Sequence, residues 1–96
     1  MKYVIFESHG LVHAVVFGNQ TSHKSVSVKD GIPVSAGFVT LNKFGWPNVY
    51  GESESLKLKN RGELDEDIIR RSFDSDTPTY LFMTEYNQPE TNEKDS

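Results

Sequence analysis

Ninety-six residues make one domain, 35% hydrophobic and 25% charged, with a net charge of −4. The absence of cysteine excludes disulfides, thiolate metal sites and cysteine nucleophiles. Four acids and one base lie from Glu85 onward, so the acidity sits in the tail and the body is close to neutral. That balance argues against general nucleic-acid binding, which needs a basic surface.

Lys2 to Glu7 and Leu11 to Phe17 are apolar, β-branched and aromatic, and read as strands. With His9-Gly10 as a two-residue turn, Phe6 faces His13, Val4 faces Val15 and Ile5 faces Ala14. Both faces of this hairpin are then apolar, which places it mid-sheet or at a subunit contact. His23 to Val28 alternates, with Val26 and Val28 on one side, and reads as a half-buried strand. Asp30-Gly31 is a turn. Pro33 cannot donate to a ladder, so the next strand is expected over Val34 to Leu41. Gly37 inside it predicts a bulge or a close backbone approach.

Asn42 to Gly45 is a turn with glycine in the position that tolerates a left-handed backbone. Trp46 to Tyr50 returns antiparallel, and Gly51 permits a bend. Ser53 to Lys59 is expected as a sixth strand, with Leu56 and Leu58 inward and Lys57 and Lys59 outward.

Leu64, Ile68, Ile69 and Phe73 recur at helical spacing and predict a helix over about 61–74. Asn60 and Glu63 suggest a capping box. Arg70 and Arg71 suit the helix C-terminus and reach Glu66 and Asp67 at i, i+4. Thr79 to Glu85 read as a seventh strand or a short helix, the strand favoured by Thr, Tyr and Phe and by the preceding Pro78.

The fold class is therefore α+β: a six- or seven-stranded antiparallel sheet, curved or a partial barrel, with one late helix. The domain spans 1–86, and 87–96 form a disordered acidic tail. A core of this size gives little net stability, which favours a homodimer. No apolar run approaches the roughly 18 residues of a membrane span, and the N-terminus is too short and too charged for a signal peptide. The expected location is cytoplasmic.

Three sets of residues carry possible chemistry. Glu7, His9, His13 and His23 are the candidate metal ligands. His9 and His13 have i, i+4 spacing, but in a hairpin that spacing loses its meaning. The simpler reading makes His9 a turn residue, His13 a half-buried strand residue and His23 a strand-edge residue. Lys57, Lys59 and Arg61, with Arg70 and Arg71, could form a basic patch for single-stranded nucleic acid beside Trp46 or Tyr50. The simpler reading is a solvated strand face and a helix end. Phe44, Trp46 and Tyr50 are the candidate protein-binding set, because Trp and Tyr on a hairpin anchor interfaces. Core packing is the competing role. No serine sits in a nucleophile elbow, Ser35 and Ser53 being the nearest candidates. No phosphate-cradling or dinucleotide motif is present, and no cofactor is expected.

The opening MKYVIFE, the block Pro33 to Val39 (PVSAGFV), Tyr50 to Leu58 (YGESESLKL) and Arg61-Gly62-Glu63 resemble short uncharacterised proteins of bacteria, plasmids and phages. The resemblance covers about residues 1–73. It implies a bacterial or phage source and a cytoplasmic location, and it carries no activity and no functional residue. The reading that results is a non-enzymatic module that binds another protein. A phage- or plasmid-borne modulator of a host protein is one form of it. The alternatives are a metal-binding protein or small hydrolase using the histidines, and a single-strand nucleic-acid module.

Overall fold

The computed structural model describes residues 1–74 and 80–81. Strands β1 (Lys2–Ser8), β2 (Leu11–Phe17), β3 (Ile32–Leu41) and β4 (Pro47–Tyr50) form an antiparallel run in the order β4-β3-β1-β2. The ribbon of β5 (Glu52–Ser53) and β6 (Leu58–Lys59) is separate from it. Helix α1 spans Glu63–Asp74. A two-residue strand, β7 (Tyr80–Leu81), adds parallel to β2 at Val15 and Val16. The class is α+β, with a curled, half-barrel sheet and, among the described residues, one α-helix.

The first hairpin has the register that its turn dictates. Phe6 pairs with His13, Ile5 with Ala14 and Val4 with Val15. His9 and Gly10 both take positive φ, at 54° and 79°, which matches the twist of the flanking strands. β1 lies between β2 and β3, so the two-sided apolar pattern marks a central strand covered on both faces. On one face Tyr3, Ile5, Ala14, Val16 and Val39 pack against Ile68 and Ile69 of α1. On the other, Val4, Phe6, Val15, Phe17 and Ala36 pack with Val26, and Val28, Leu56 and Leu58 border them. Each fully buried side chain of this kind contributes about 1.5–3 kcal/mol of transfer free energy.

Several expectations need correction. The sheet is four antiparallel strands with a short parallel addition, beside a two-stranded ribbon; it is not one sheet of six or seven. His23–Ser25 is a 3-10 turn, not part of a strand. Val26 and Val28 do turn inward, but they belong to no strand, so alternation there reports packing and not a ladder. β3 begins at Ile32 and includes Pro33. The register between β1 and β3 shifts at Ile5 and Phe6, which leaves Val34 as the extra residue of a bulge. Pro33 is tolerated beside that irregularity. Ser53 to Lys59 is not one strand. Lys57 takes a φ of 58°, and the chain reverses between β5 and β6.

Gly37 marks a close approach. A Cβ there would lie 2.7 Å from the Tyr50 carbonyl oxygen and 3.2 Å from that of Gly51. The Gly51 carbonyl in turn accepts from the Asn60 backbone amide (3.3 Å) and side-chain amide (2.8 Å). On the outer side of β4, Pro47 has no N–H, and the Val49 amide donates to Glu66 Oε2 at 3.0 Å.

The helix start also differs. Asn60 Oδ1 accepts from the Gly62 amide at 2.9 Å, and the carboxylate of Asp65 accepts from the Arg61 amide at 2.9 Å. Asp65, not Glu63, satisfies the backbone ahead of the helix. The buried stripe is Asp65, Ile68 and Ile69, while Leu64 and Phe73 are exposed. Most of the seventh strand expected over Thr79 to Glu85, and the tail 87–96, lie outside the described residues.

Candidate functional site

The β3–β4 turn builds a rigid platform. Asn42 Oδ1 accepts from the amides of Phe44 (2.8 Å) and Trp46 (3.0 Å). The Asn42 amide donates to the Trp46 carbonyl, and the Gly45 amide to the Asn42 carbonyl, both at 2.9 Å. Gly45 takes a φ of 83°, where a side chain would be strained. This fixes the backbone on both sides of Trp46.

Trp46 is 49% exposed. The Arg70 guanidinium stands over its ring, 4.4 Å from the centroid, and reaches back to Asp67 at 3.4 Å. An Arg over an indole face is worth about 0.5–1 kcal/mol at such exposure. Trp46, Pro47 and Leu64 form the apolar lining of a shallow groove of about 550 Å³ between the turn and α1, with Glu63, Glu66, Asp67 and Arg70 supplying its polar lining. Leu64 is 52% exposed, and Phe44, on the turn itself, is 72% exposed. Trp46 and Leu64 thus line one groove, with Phe44 exposed two residues from Trp46, and such exposed apolar groups mark interaction surfaces.

Tyr50 does not join them. Its ring stacks on Phe38, centroids 5.6 Å apart, and it alternates with Val49, which packs on the helix face. The candidate aromatic set therefore divides into Trp46 at the groove, Phe44 exposed on the adjoining turn, and Tyr50 on the other face of the sheet.

The four candidate metal ligands sit on different elements: Glu7 on β1, His9 in the turn, His13 on β2 and His23 in the 3-10 turn. His9 sits at the hairpin turn, 3.4 Å from exposed Asp30. Glu7 and His13 are not cross-strand partners: Glu7 pairs with Val12 and Phe6 with His13, so the two side chains fall on opposite faces. His23 is fully buried. Its Nε2–H donates to the Gly37 carbonyl at 2.8 Å, and its ring makes edge contacts with Phe17 and Phe38, each 5.6 Å away. Among the described residues no three His, Asp or Glu side chains are grouped to hold a metal.

The basic candidates do not form a patch. Arg61 Nε donates to Asp65 Oδ1 at 2.8 Å. Lys59 lies across the ribbon from Glu52, and exposed Lys57 shares a shallow depression with Glu52 and Glu54. Arg71 pairs with Asp67 at 3.0 Å. Arg70 also pairs with Asp67 and not with Glu66, because Glu66 holds the Val49 amide.

One cluster went unread in the sequence. Asp65 is fully buried and accepts from Tyr3 Oη (2.6 Å), Ser35 Oγ (2.9 Å), and the amide and Nε of Arg61. Four donors satisfy a carboxylate that burial would otherwise penalise. Burial first, and then the bond to Asp65, push the Tyr3 phenol well above its ordinary range. Ser35, the nearest serine to a nucleophile candidate, spends its proton on Asp65 and is closed to solvent. The network ties α1 to β1 and β3. The signal for it was present: Asp65 lies at i−3 and i−4 from Ile68 and Ile69, so an acid shared the apolar stripe.

No protein-family model, curated protein or solved structure matches this chain. Among the described residues no helix is long and apolar enough to cross a membrane.

Proposed function

We propose that the chain is a small, non-enzymatic module that binds another protein through the groove at Trp46. The observation that carries this reading is the exposure of Trp46. A half-exposed Trp, held by a fixed turn and an overlying Arg and flanked by exposed Phe44 and Leu64, is not core. It has the traits of a binding anchor, namely a large aromatic group ordered before contact. The resemblance to short bacterial, plasmid and phage proteins supports a cytoplasmic location, and a modulator of a host protein is the form of this reading that fits such a source.

The test is Trp46→Ala, with folding checked by circular dichroism. Wild-type protein should retain a specific protein from a host lysate, and the variant should lose it. Equal retention by a folded variant rejects the groove as the contact.

A further inference from the structure

We infer that the Trp46 groove is filled, in the isolated protein, by the β3–β4 turn of a second copy, giving a two-fold dimer. This rests on the reading of the groove as a docking surface. Both halves of the contact are present on one chain. The turn projects Phe44, with Lys43 Nζ 5.4 Å from the centroid of its ring. The groove offers Trp46, Pro47 and Leu64 as an apolar seat, with Glu63 among its acids.

Trp46 follows Phe44 by two residues, so the projecting group and its receptor lie side by side. A two-fold axis between them lets each turn enter the other copy's groove. In such an interface every contact occurs twice, because the same patch faces itself. Phe44 then packs on Leu64 and Trp46, and Lys43 meets Glu63. The charges match: a cation leads the turn, and three acids against one base line the groove. The chain's own C-terminal stretch is a poorer occupant, since from Glu85 it carries four acids and one base. Covering this apolar set also adds burial to a domain whose core is small.

The experiment is sedimentation velocity of the full chain over about 1–200 μM, with circular dichroism on every variant. The 10.9 kDa monomer should give way to a species of twice that mass as concentration rises. Phe44→Asp should weaken dimerisation by more than about tenfold. Lys43→Glu and Glu63→Lys should each weaken it by about three- to tenfold, and the double variant should recover most of the loss. A monomer across the whole range overturns the inference and leaves the docking reading to the Trp46→Ala capture. A dimer indifferent to Phe44→Asp and to the charge exchange uses another surface, and it too overturns the inference.

Discussion

The Tyr3 hydroxyl donates to Asp65 Oδ2 across 2.6 Å, joining the central strand to the first turn of the helix. Both side chains are fully buried. Removing either partner has unequal consequences. Tyr3→Phe deletes one donor and leaves Asp65 three others, so it should cost about 1–2 kcal/mol. Asp65→Ala strands two buried hydroxyls and the Arg61 contacts and should cost about 3–5 kcal/mol. Urea denaturation of the two variants measures the difference. Equal losses would show that the carboxylate is not the hub.

The same pair sets an alkaline limit. The folded state holds the Tyr3 proton more tightly than the unfolded chain, whose phenol titrates near the ordinary 10.0. A raised folded pKa contributes stability that is complete below that value and is lost as pH climbs above it. Ultraviolet titration should show one tyrosine ionising late, together with unfolding. Tyr3→Phe should lack that late step. If all tyrosines titrate together while the fold persists, the phenol is not held as described.

Arg70 is expected to shield Trp46 more than it stabilises the fold. Arg70→Ala should cost about 0.5–1 kcal/mol. Because Trp46 is the single tryptophan, its emission reports this contact directly. Acrylamide quenching should increase in the variant. Unchanged quenching would mean that the guanidinium does not cover the ring.

His23 is expected to behave as a packing residue. His23→Ala removes a fully buried ring between Phe17 and Phe38 and takes the imidazole donor from the Gly37 carbonyl. The cost should be about 2–4 kcal/mol. Thermal unfolding checks this, and a loss below about 1 kcal/mol would contradict the burial.

Gly37→Ala should destabilise by about 1–3 kcal/mol. The obstacle is backbone oxygen, which cannot swing aside as a side chain can. Gly10→Ala meets no atom within 4 Å and should cost only the strain of its positive φ, about 1–2 kcal/mol. Chemical denaturation compares the two. A Gly37→Ala variant as stable as wild type would mean that the approach of the Tyr50 and Gly51 carbonyls to β3 is loose.

Local rules worked where the determinant was local. His9-Gly10 was enough to set every pairing between β1 and β2, and Gly45 to close the next turn. Gly37 signalled a close approach but not its partner, since the carbonyls of Tyr50 and Gly51 arrive from the far end of β4. The alternation at Val26 and Val28 misled because inward side chains need no ladder beside them. The spacing of Leu64 and Phe73 misled for a related reason. Asp65 is buried on bonds from Tyr3 and Ser35, so the buried stripe runs through Asp65, Ile68 and Ile69 and leaves those two apolar residues exposed. The candidate groove was half legible. Trp46 was visible as an aromatic residue on a hairpin, while Leu64 and Arg70 join it only because they lie outside the buried stripe of the helix.

The outer edge of β4 has a consequence for assembly. Pro47 offers no donor, Glu66 occupies the Val49 amide, and Asn60 takes the Gly51 carbonyl twice. An incoming strand would find little there to pair with. Exposed aromatic groups beside an open edge invite end-to-end sheet growth and fibres. Here the adhesive surface and the means of polymerisation are kept apart, so the protein can be sticky at Trp46 and still stop at a finite complex.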